Sequence, residues 1–261
     1  MAVTAVIAAA GSGERLGADG PKAFVPLAGR SMIEWSIDAF RACDPVAAIV
    51  VAVPPEMVED GNFKAGEGEP GLESREQAVG PAIEVLAGGA TRAESVANAI
   101  AAVDTELVAI HDAARPLLTP ELVIELVAVL ESDPQAAGAI AAAPITDTVK
   151  RAVQAPGRSS PAFPSIETGK VGLAIETTLD RSTLWGAQTP QIFRTELLRE
   201  AIAVAPGHLD PATDEAMLIE GRGGTVLIHP SGPGNLKVTT PLDLKVAELL
   251  LAERPGPGAP D

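Results

Sequence analysis

Apolar positions in this chain fall into short unbroken runs, separated by segments in which they recur every three or four residues. Val3–Ala9, Ala47–Val53, Leu107–His111 and Gly138–Pro144 are runs of the first kind. A strand buried on both faces of a parallel sheet has this pattern, because neither face meets water. The intervening segments start with helix signals. Ser31-Met-Ile-Glu34 fits a capping box, followed by Ile33, Ile37 and Phe40 at helical spacing, and Thr91-Arg-Ala-Glu94 fits a second, followed by Val96, Ile100 and Val103. Thr119-Pro120 reads as an N-cap with proline at the first helical position, opening a helix that runs to about Leu130. Helical patterns return at Arg194–Ala203 and Asp214–Glu220, with a strand at Thr225–His229 and a last helix from Pro241. The alternation predicts a three-layer α/β fold of Rossmann-like type, with a mostly parallel sheet covered on both faces.

Two stretches break the alternation. Residues 60–81 are rich in glycine and glutamate and read as a solvated loop. From Lys150 to about Trp185 the chain carries Pro, Gly and Ser around short β-prone pieces, Gly169–Ile175 and Glu176–Asp180. That is too long for a plain connection within a domain, so a protruding β-arm able to dock on a second subunit is expected. The organisation predicted is one domain over residues 1–250, with the arm at 150–187 and a flexible tail at 251–261.

Composition narrows the function classes. An apolar fraction of 46% in 261 residues is ample for a core, and the core must be aliphatic, since there are 5 Phe, 2 Trp and no Tyr. With 35 acidic residues against 19 Lys plus Arg, the formal net charge is −16, which argues against a nucleic-acid partner or an anionic membrane surface. A small anionic ligand needs only a local pocket of cations and N–H groups, so it stays open. One cysteine, Cys43, precludes an internal disulfide or a cysteine zinc site, and His111, His208 and His229 are too scattered for a zinc cluster. Met1–Ala10 is apolar but lacks a positive leading segment, so it is expected to be a buried strand in a cytoplasmic protein.

The strongest local signal for chemistry is Ala8-Ala-Ala-Gly-Ser-Gly-Glu-Arg-Leu-Gly17 with Pro21-Lys22 behind it. Small residues after a buried strand let backbone N–H groups approach a phosphate, and Arg15 and Lys22 add positive charge. A dinucleotide fold wants G-x-G-x-x-G and an acid after the second strand, whereas here the glycines are Gly11, Gly13 and Gly17, and Val53-Pro54 ends that strand. A Walker loop wants Gly-Lys-Ser/Thr, but Lys22 lies between Pro21 and Ala23. The G-x-G-x-R…P-K loop of nucleotidyltransferases matches at each fixed position.

Beyond that loop, the chain resembles the 2-C-methyl-D-erythritol 4-phosphate cytidylyltransferase family. The resemblance runs through Gly88-Gly-Ala-Thr-Arg-Ala-Glu-Ser-Val96, His111-Asp-Ala-Ala-Arg-Pro116, Pro144-Ile-Thr-Asp-Thr-Val-Lys150 and Asp180-Arg181. It continues in Trp185-Gly-Ala-Gln-Thr-Pro-Gln191, Thr213-Asp-Glu215 and Asn235-Leu-Lys-Val-Thr239, in family order. It implies transfer of CMP from CTP to methylerythritol 4-phosphate with Mg²⁺, on a nucleotide-diphospho-sugar transferase fold. By the family pattern, Arg15, Lys22 and Asp112 are catalytic, and Asp112 also serves the metal. Ala9, Ala10, Gly11, Ser12, Gly13, Gly89, Ala90, Arg92, Ser95 and Ala113 would bind the nucleotide. Arg115, Thr148, Arg181, Thr189, Thr213 and Lys237 would hold the acceptor, Arg181 reaching across a homodimer from the arm. The chain departs from the family at Ala8, where proline is usual, and at Ala90, where an acid is common, so contacts there would be main-chain.

His111, Cys43 and Trp35 read as structural or core residues, and Trp185 as either arm packing or a pocket wall. Three rival functions stand beside the cytidylyltransferase reading, one of them a catalytically silent regulatory binder that kept the nucleotide loop, against which the retention of Arg15, Lys22 and Asp112 counts. Another is a nucleotidyltransferase of the same fold with another sugar or polyol phosphate as acceptor. The third is a nicotinamide-dependent oxidoreductase.

Overall fold

The first apolar run becomes strand β1 (Val3–Ala8), buried from Val3 to Ile7 in the interior of a seven-stranded sheet. The structure is a computed structural model that describes residues 1–11, 20–59, 80–154, 173–204 and 212–254. After β1 come a two-residue hairpin, β2 (Pro26–Leu27) with β3 (Arg30–Ser31), then helix α1 (Met32–Arg41), β4 (Val46–Val53) and the short α2 (Pro55–Glu59). Next are β5 (Ala82–Ala87), α3 (Arg92–Ile100), β6 (Leu107–Asp112), α4 (Pro120–Ser132) and β7 (Gly138–Pro144). An antiparallel pair follows, β8 (Lys150–Gln154) with β9 (Leu173–Thr178), before β10 (Trp185–Arg194), α5 (Thr195–Ala203), α6 (Glu215–Glu220), β11 (Val226–Pro230) and α7 (Pro241–Ala252).

The strand order is β11-β7-β10-β6-β1-β4-β5. β1 pairs in parallel with both β4 and β6, while β10 runs antiparallel to β6. The chain therefore leaves β1 on one side for β4 and β5, then returns to add β6 on the other. That reversal is where open α/β sheets bind ligands, beyond the carboxyl ends of the strands. Ala8 and Asp112, the last residues of β1 and β6, stand opposite each other there.

Alternation along the strands divides the core. Val3, Ala5, Ile7, Leu107 and Ala109 face α1 and α4 through Ile33, Ile37, Phe40, Val123 and Leu126, all buried. Val6, Val50, Val108 and Ile110 face α3, α5 and α6 through Val96, Ile100, Leu198 and Ile219. Leu27, Met32, Val238, Ala247 and Leu251 form a third buried cluster that seats α7. The capping boxes expected at Ser31–Glu34 and Thr91–Glu94 are formed, and Thr240–Asp243 makes a third on α7. Thr119 caps α4 ahead of Pro120, as the sequence predicts.

Several strands were not legible in the sequence, β5 and β10 among them. β5 is an edge strand with no fully buried position, so Ala82–Ala87 lacks the strong alternation of a half-buried strand. β10 reads as a motif rather than a strand, because glycine, proline and glutamine interrupt it, yet its second half is buried against β6. The β-prone pieces of the arm merge into the single strand β9, with the first of them partly outside the described residues.

Chain contacts divide the protein into two units, Met1–Ala142 with Gln188–Asp261, and Ala143–Ala187. The second unit is the β8–β9 pair, running from Lys150 opposite Thr178 to Gln154 opposite Leu173 with a register shift between Arg151 and Ala152, followed by a 3₁₀ turn over Arg181–Thr183 capped by Asp180. Every residue of β9 is exposed.

Candidate active site

A cleft of about 400 Å³ opens in the first unit beyond the carboxyl ends of β1 and β6. Its floor is Ala8, Ala9, Ala10 and Gly11 after β1, with Asp112, Ala113 and Ala114 after β6. One wall is the segment from Gly89 to Arg92 with Ser95, and Lys22 and Lys237 complete the rim. Among the described residues, the charged groups lining it are three cations, Lys22, Arg92 and Lys237, against one anion, Asp112. A chain of net charge −16 thus carries a locally positive cleft.

The wall is shaped by the start of α3. Thr91 accepts from the Glu94 N–H, and the Glu94 Oε2 accepts from the N–H groups of Ala90 (2.7 Å) and Thr91 (3.3 Å). Ser95 Oγ accepts from the Gly89 N–H at 3.0 Å and donates to the Thr91 carbonyl at 2.9 Å. The Gly88 N–H goes to the Val53 carbonyl. The N–H groups of 88 to 91 therefore already have partners within the protein. Gly88 is needed sterically, since a Cβ there would sit 2.6 Å from the Ala10 Cβ and 2.8 Å from Ser95 Oγ.

Asp112 is 8% exposed, and its carboxylate is held from two sides. Arg92 Nε donates to Oδ1 at 2.8 Å, and Lys237 Nζ to Oδ2 at 2.7 Å. Burial alone would push this carboxyl up, but the two cations overcome it and hold it well below the usual carboxylate range. Arg92 is itself clamped, because its Nη1 donates to Glu215 Oε1 at 2.7 Å. Against the cost of burial, Glu215 and Asp112 hold the guanidinium in its charged form.

A buried polar chain supports the backbone of Asp112. The Asp112 N–H donates to Thr189 Oγ1 at 3.0 Å, and Thr189 Oγ1 lies 3.2 Å from His111 Nδ1. His111 Nε2 is 3.2 Å from the Arg115 carbonyl, which can only accept. The proton therefore sits on Nε2, and Nδ1 accepts from the Thr189 hydroxyl. Burial drives the His111 pKa down to about 4, so the ring is neutral, edge-on to Phe40. Arg115 Nη1 donates to the Asn235 carbonyl at 2.7 Å, and Asn235 Nδ2 donates to the Thr189 carbonyl at 2.8 Å. This ties the Asn235–Lys237 segment to the site.

The structure thus brings Ala9, Ala10, Gly11, Lys22, Gly89, Ala90, Arg92, Ser95, Asp112, Ala113 and Lys237 to one cleft. Ser12, Gly13 and Arg15 lie outside the described residues. Thr189 and Arg115 are buried beneath the cleft, where the Thr189 hydroxyl is bonded to Asp112 and His111. Thr213 is an exposed residue just before α6, in contact with Met217 Sδ. Thr148 and Arg181 belong to the second unit, where Arg181 Nη1 donates to the Thr146 carbonyl. His111 is the structural histidine that was expected. Cys43 is buried with its thiol pushed up to about 12 by burial, which suits the expected inert hydrophobe. Trp35 is half-buried, with its ring under Arg30 and its N–H on the Leu27 carbonyl. Sequence reasoning missed Glu215 as a partner of Arg92, since nothing local marks a contact 123 residues away.

No three of His, Cys, Asp and Glu come together as a metal cage among the described residues. Asp112 does suit one role. An ionised carboxylate has about four lone-pair positions, of which Arg92 and Lys237 use two, so it can serve a hard divalent cation whose other donors come from a ligand.

The family model for 2-C-methyl-D-erythritol 4-phosphate cytidylyltransferase (IspD) matches residues 3–253. The chain is 40% identical over 250 residues to a bifunctional IspD/IspF enzyme of Anaeromyxobacter dehalogenans, spanning 95% of this chain but 57% of that protein. It is 34% identical to the 2-C-methyl-D-erythritol 4-phosphate cytidylyltransferase of Acidobacterium capsulatum, covering 97% of this chain and 99% of the other. The crystal structure of the Thermus thermophilus enzyme of that name superposes with a TM-score of 0.68 at 32% identity, over 97% of this chain and all of that one. A family match over nearly the whole length, on a sheet whose reversal carries this cationic cleft, establishes that the chain belongs to the 2-C-methyl-D-erythritol 4-phosphate cytidylyltransferase family.

Proposed function

We propose that this protein transfers CMP from CTP to 2-C-methyl-D-erythritol 4-phosphate, giving 4-diphosphocytidyl-2-C-methyl-D-erythritol and pyrophosphate. The observation that carries the reading is the ionised Asp112 between Arg92 and Lys237, in a cleft floored by small residues at the reversal of the sheet. An acceptor phosphate oxygen attacks the α-phosphorus of CTP. The new P–O bond forms as the bond to the β-phosphate oxygen breaks, and pyrophosphate carries the electron pair away. The acceptor phosphate is already ionised, so no side-chain nucleophile or base is needed, and catalysis is positioning plus charge stabilisation.

In this reading Lys22 neutralises charge growing on the α-phosphate, with Arg15 as its expected companion. Ala9–Gly11 lie close enough to the cleft for their small side chains to admit the triphosphate. The Gly89–Arg92 wall bounds the base. Lys237, whose side chain is 43% exposed, is the cation best able to leave Asp112 for a substrate phosphate. Asp112 would hold Mg²⁺, which when bound would offset the charge of the triphosphate. Thr148, Arg181 and Thr213 are proposed acceptor contacts, with the arm pairing two subunits so that Arg181 serves the neighbour's site. The exposed Val153, Leu173 and Ile175 of β8 and β9 support an interface there. No helix among the described residues is long and apolar enough to cross a membrane, and we place the activity in the cytoplasm.

The test is pyrophosphate release with Mg²⁺ and each of CTP, ATP, GTP and UTP, with and without methylerythritol 4-phosphate. Release only when CTP and that acceptor are both present is the expected result. Release with CTP and a different polyol phosphate, with none from methylerythritol phosphate, would overturn the acceptor assignment.

A further inference from the structure

Glu215 is 2% exposed, on the first turn of α6, and is buried with an incomplete set of partners. Oε1 accepts from Arg92 Nη1 at 2.7 Å, whereas Oε2 is buried with no hydrogen-bond partner. A carboxylate placed this way is costly, because burying an ionised group is repaid only by close pairing and full hydrogen bonding. Burial outweighs Arg92 and leaves this carboxyl above its ordinary value, but the 2.7 Å pairing with the guanidinium gives the position one evident use, negative charge delivered to Arg92. That guanidinium is the group that grips Asp112 Oδ1.

We propose that Glu215 is a positioning residue that sets the divalent-cation affinity of Asp112 by cancelling the charge of Arg92. The inference rests on the reading of Asp112 as the metal contact. Without Glu215, the whole positive charge of Arg92 falls on Asp112, where it binds the carboxylate more tightly and repels an arriving cation. With Glu215 in place, Arg92 is shared between two carboxylates and fixed through two different nitrogens, so it orients Oδ1 without saturating Asp112. Lys237 then remains as the exchangeable partner at Oδ2, on the exposed side.

The experiment measures Mn²⁺ binding to the protein with CTP present, from the free-Mn²⁺ electron paramagnetic resonance signal, in wild type, Glu215→Gln, Glu215→Asp and Asp112→Asn. Melting temperatures and Mg²⁺ titrations of kcat are taken alongside. Glu215→Gln keeps the shape and loses the charge, so Mn²⁺ affinity is expected to fall about 10- to 100-fold, the range for outer-shell changes. Excess Mg²⁺ should then recover most of kcat. Glu215→Asp keeps the charge and should retain more affinity than Glu215→Gln. Equal affinity in Glu215→Gln and wild type, or equal losses in the Gln and Asp variants, would overturn the inference. Should Glu215→Gln not fold, Glu215→Ala takes its place as the charge-removing variant, and Mn²⁺ affinity equal to wild type there overturns the inference. If Asp112→Asn binds Mn²⁺ as tightly as wild type, the failure lies with the metal reading. If it loses binding while Glu215→Gln does not, only the role of Glu215 fails.

Discussion

His111 is one residue from the carboxylate that organises the cleft, yet it acts through its neutrality. It is fully buried, its ring bridges the Arg115 carbonyl and the Thr189 hydroxyl, and its pKa is lowered from 6.5 to about 4. A histidine with a depressed folded pKa is protonated first in the unfolded chain. Its contribution is therefore complete above pH 6.5 and is lost as the pH falls towards 4. A shift of this size corresponds to roughly 3 kcal/mol, an order-of-magnitude figure. Denaturant unfolding from pH 7 to 4 should show wild type losing that much stability relative to His111→Gln, and parallel profiles would refute it. At this scale the sequence was partly legible. His111 reads as structural because no ligand-type neighbour stands near it in the chain. Its partner Thr189 reads as a substrate contact by family pattern, whereas its hydroxyl is bonded inside the protein. Burial of that kind is set by where β10 crosses β6, which no local signal reports.

Helix starts were the most readable elements, because their chemistry is local. A Ser or Thr followed three residues later by Glu marks an N-terminus, and both boxes seen in the sequence are formed. At α3 the cap also builds the cleft wall, since Glu94 holds the N–H groups of Ala90 and Thr91. Thr91→Ala should cost about 1 kcal/mol by the usual loss of an N-cap. It should also raise KM for CTP, and a variant with the stability loss but an unaltered KM would separate the cap from the wall. Elements defined by their neighbours were harder to read. β5 is a strand because the exposed edge of β4 offers it a ladder, from Ala48 opposite Ala82 to Val53 opposite Ala87. The hairpin of β2 and β3 turns through Ala28 and Gly29, both at positive φ, and alanine gives no hint of that conformation.

On the scale of the whole molecule, the long excursion after Lys150 forms its own unit, and its apolar residues Leu173 and Ile175 are 62% and 66% exposed. The proposed dimer makes a specific statement about mixtures. Arg181→Ala and Lys22→Ala proteins are each expected to be inactive. If Arg181 serves the neighbouring subunit's site, each hybrid dimer holds one site with both residues intact and one with neither. Half of randomly exchanged dimers are hybrids, so recovery should reach about a quarter of wild-type activity, by the symmetry of a two-fold pair. No recovery after demonstrated subunit exchange would mean that each site is built within one chain. The mostly parallel sheet and its two-faced core were legible from the buried runs, but the strand order was not, because β5 and β10 carry no strand signal of their own. The charge network was not, because Arg92, Asp112, Glu215 and Lys237 meet only once the sheet is assembled.

That late meeting bears on how the protein is made. The floor of the cleft is encoded early, by Ala8 to Gly11 and Asp112 to Ala114, whereas Lys237 arrives some 120 residues behind Asp112. A ribosome releases these pieces in that order. A nascent chain that has laid β1, β4 and β6 side by side already owns a buried aspartate, and for a time neither Glu215 nor Lys237 exists to balance its surroundings. Nor does α7, whose Ala247 and Leu251 close the third core cluster just past that lysine, contribute until the end. Termination between α6 and Lys237 would therefore leave Asp112 paired with Arg92 but without its second counter-charge. Asp112 gains its second cation only after every strand of the sheet that buries it has been made.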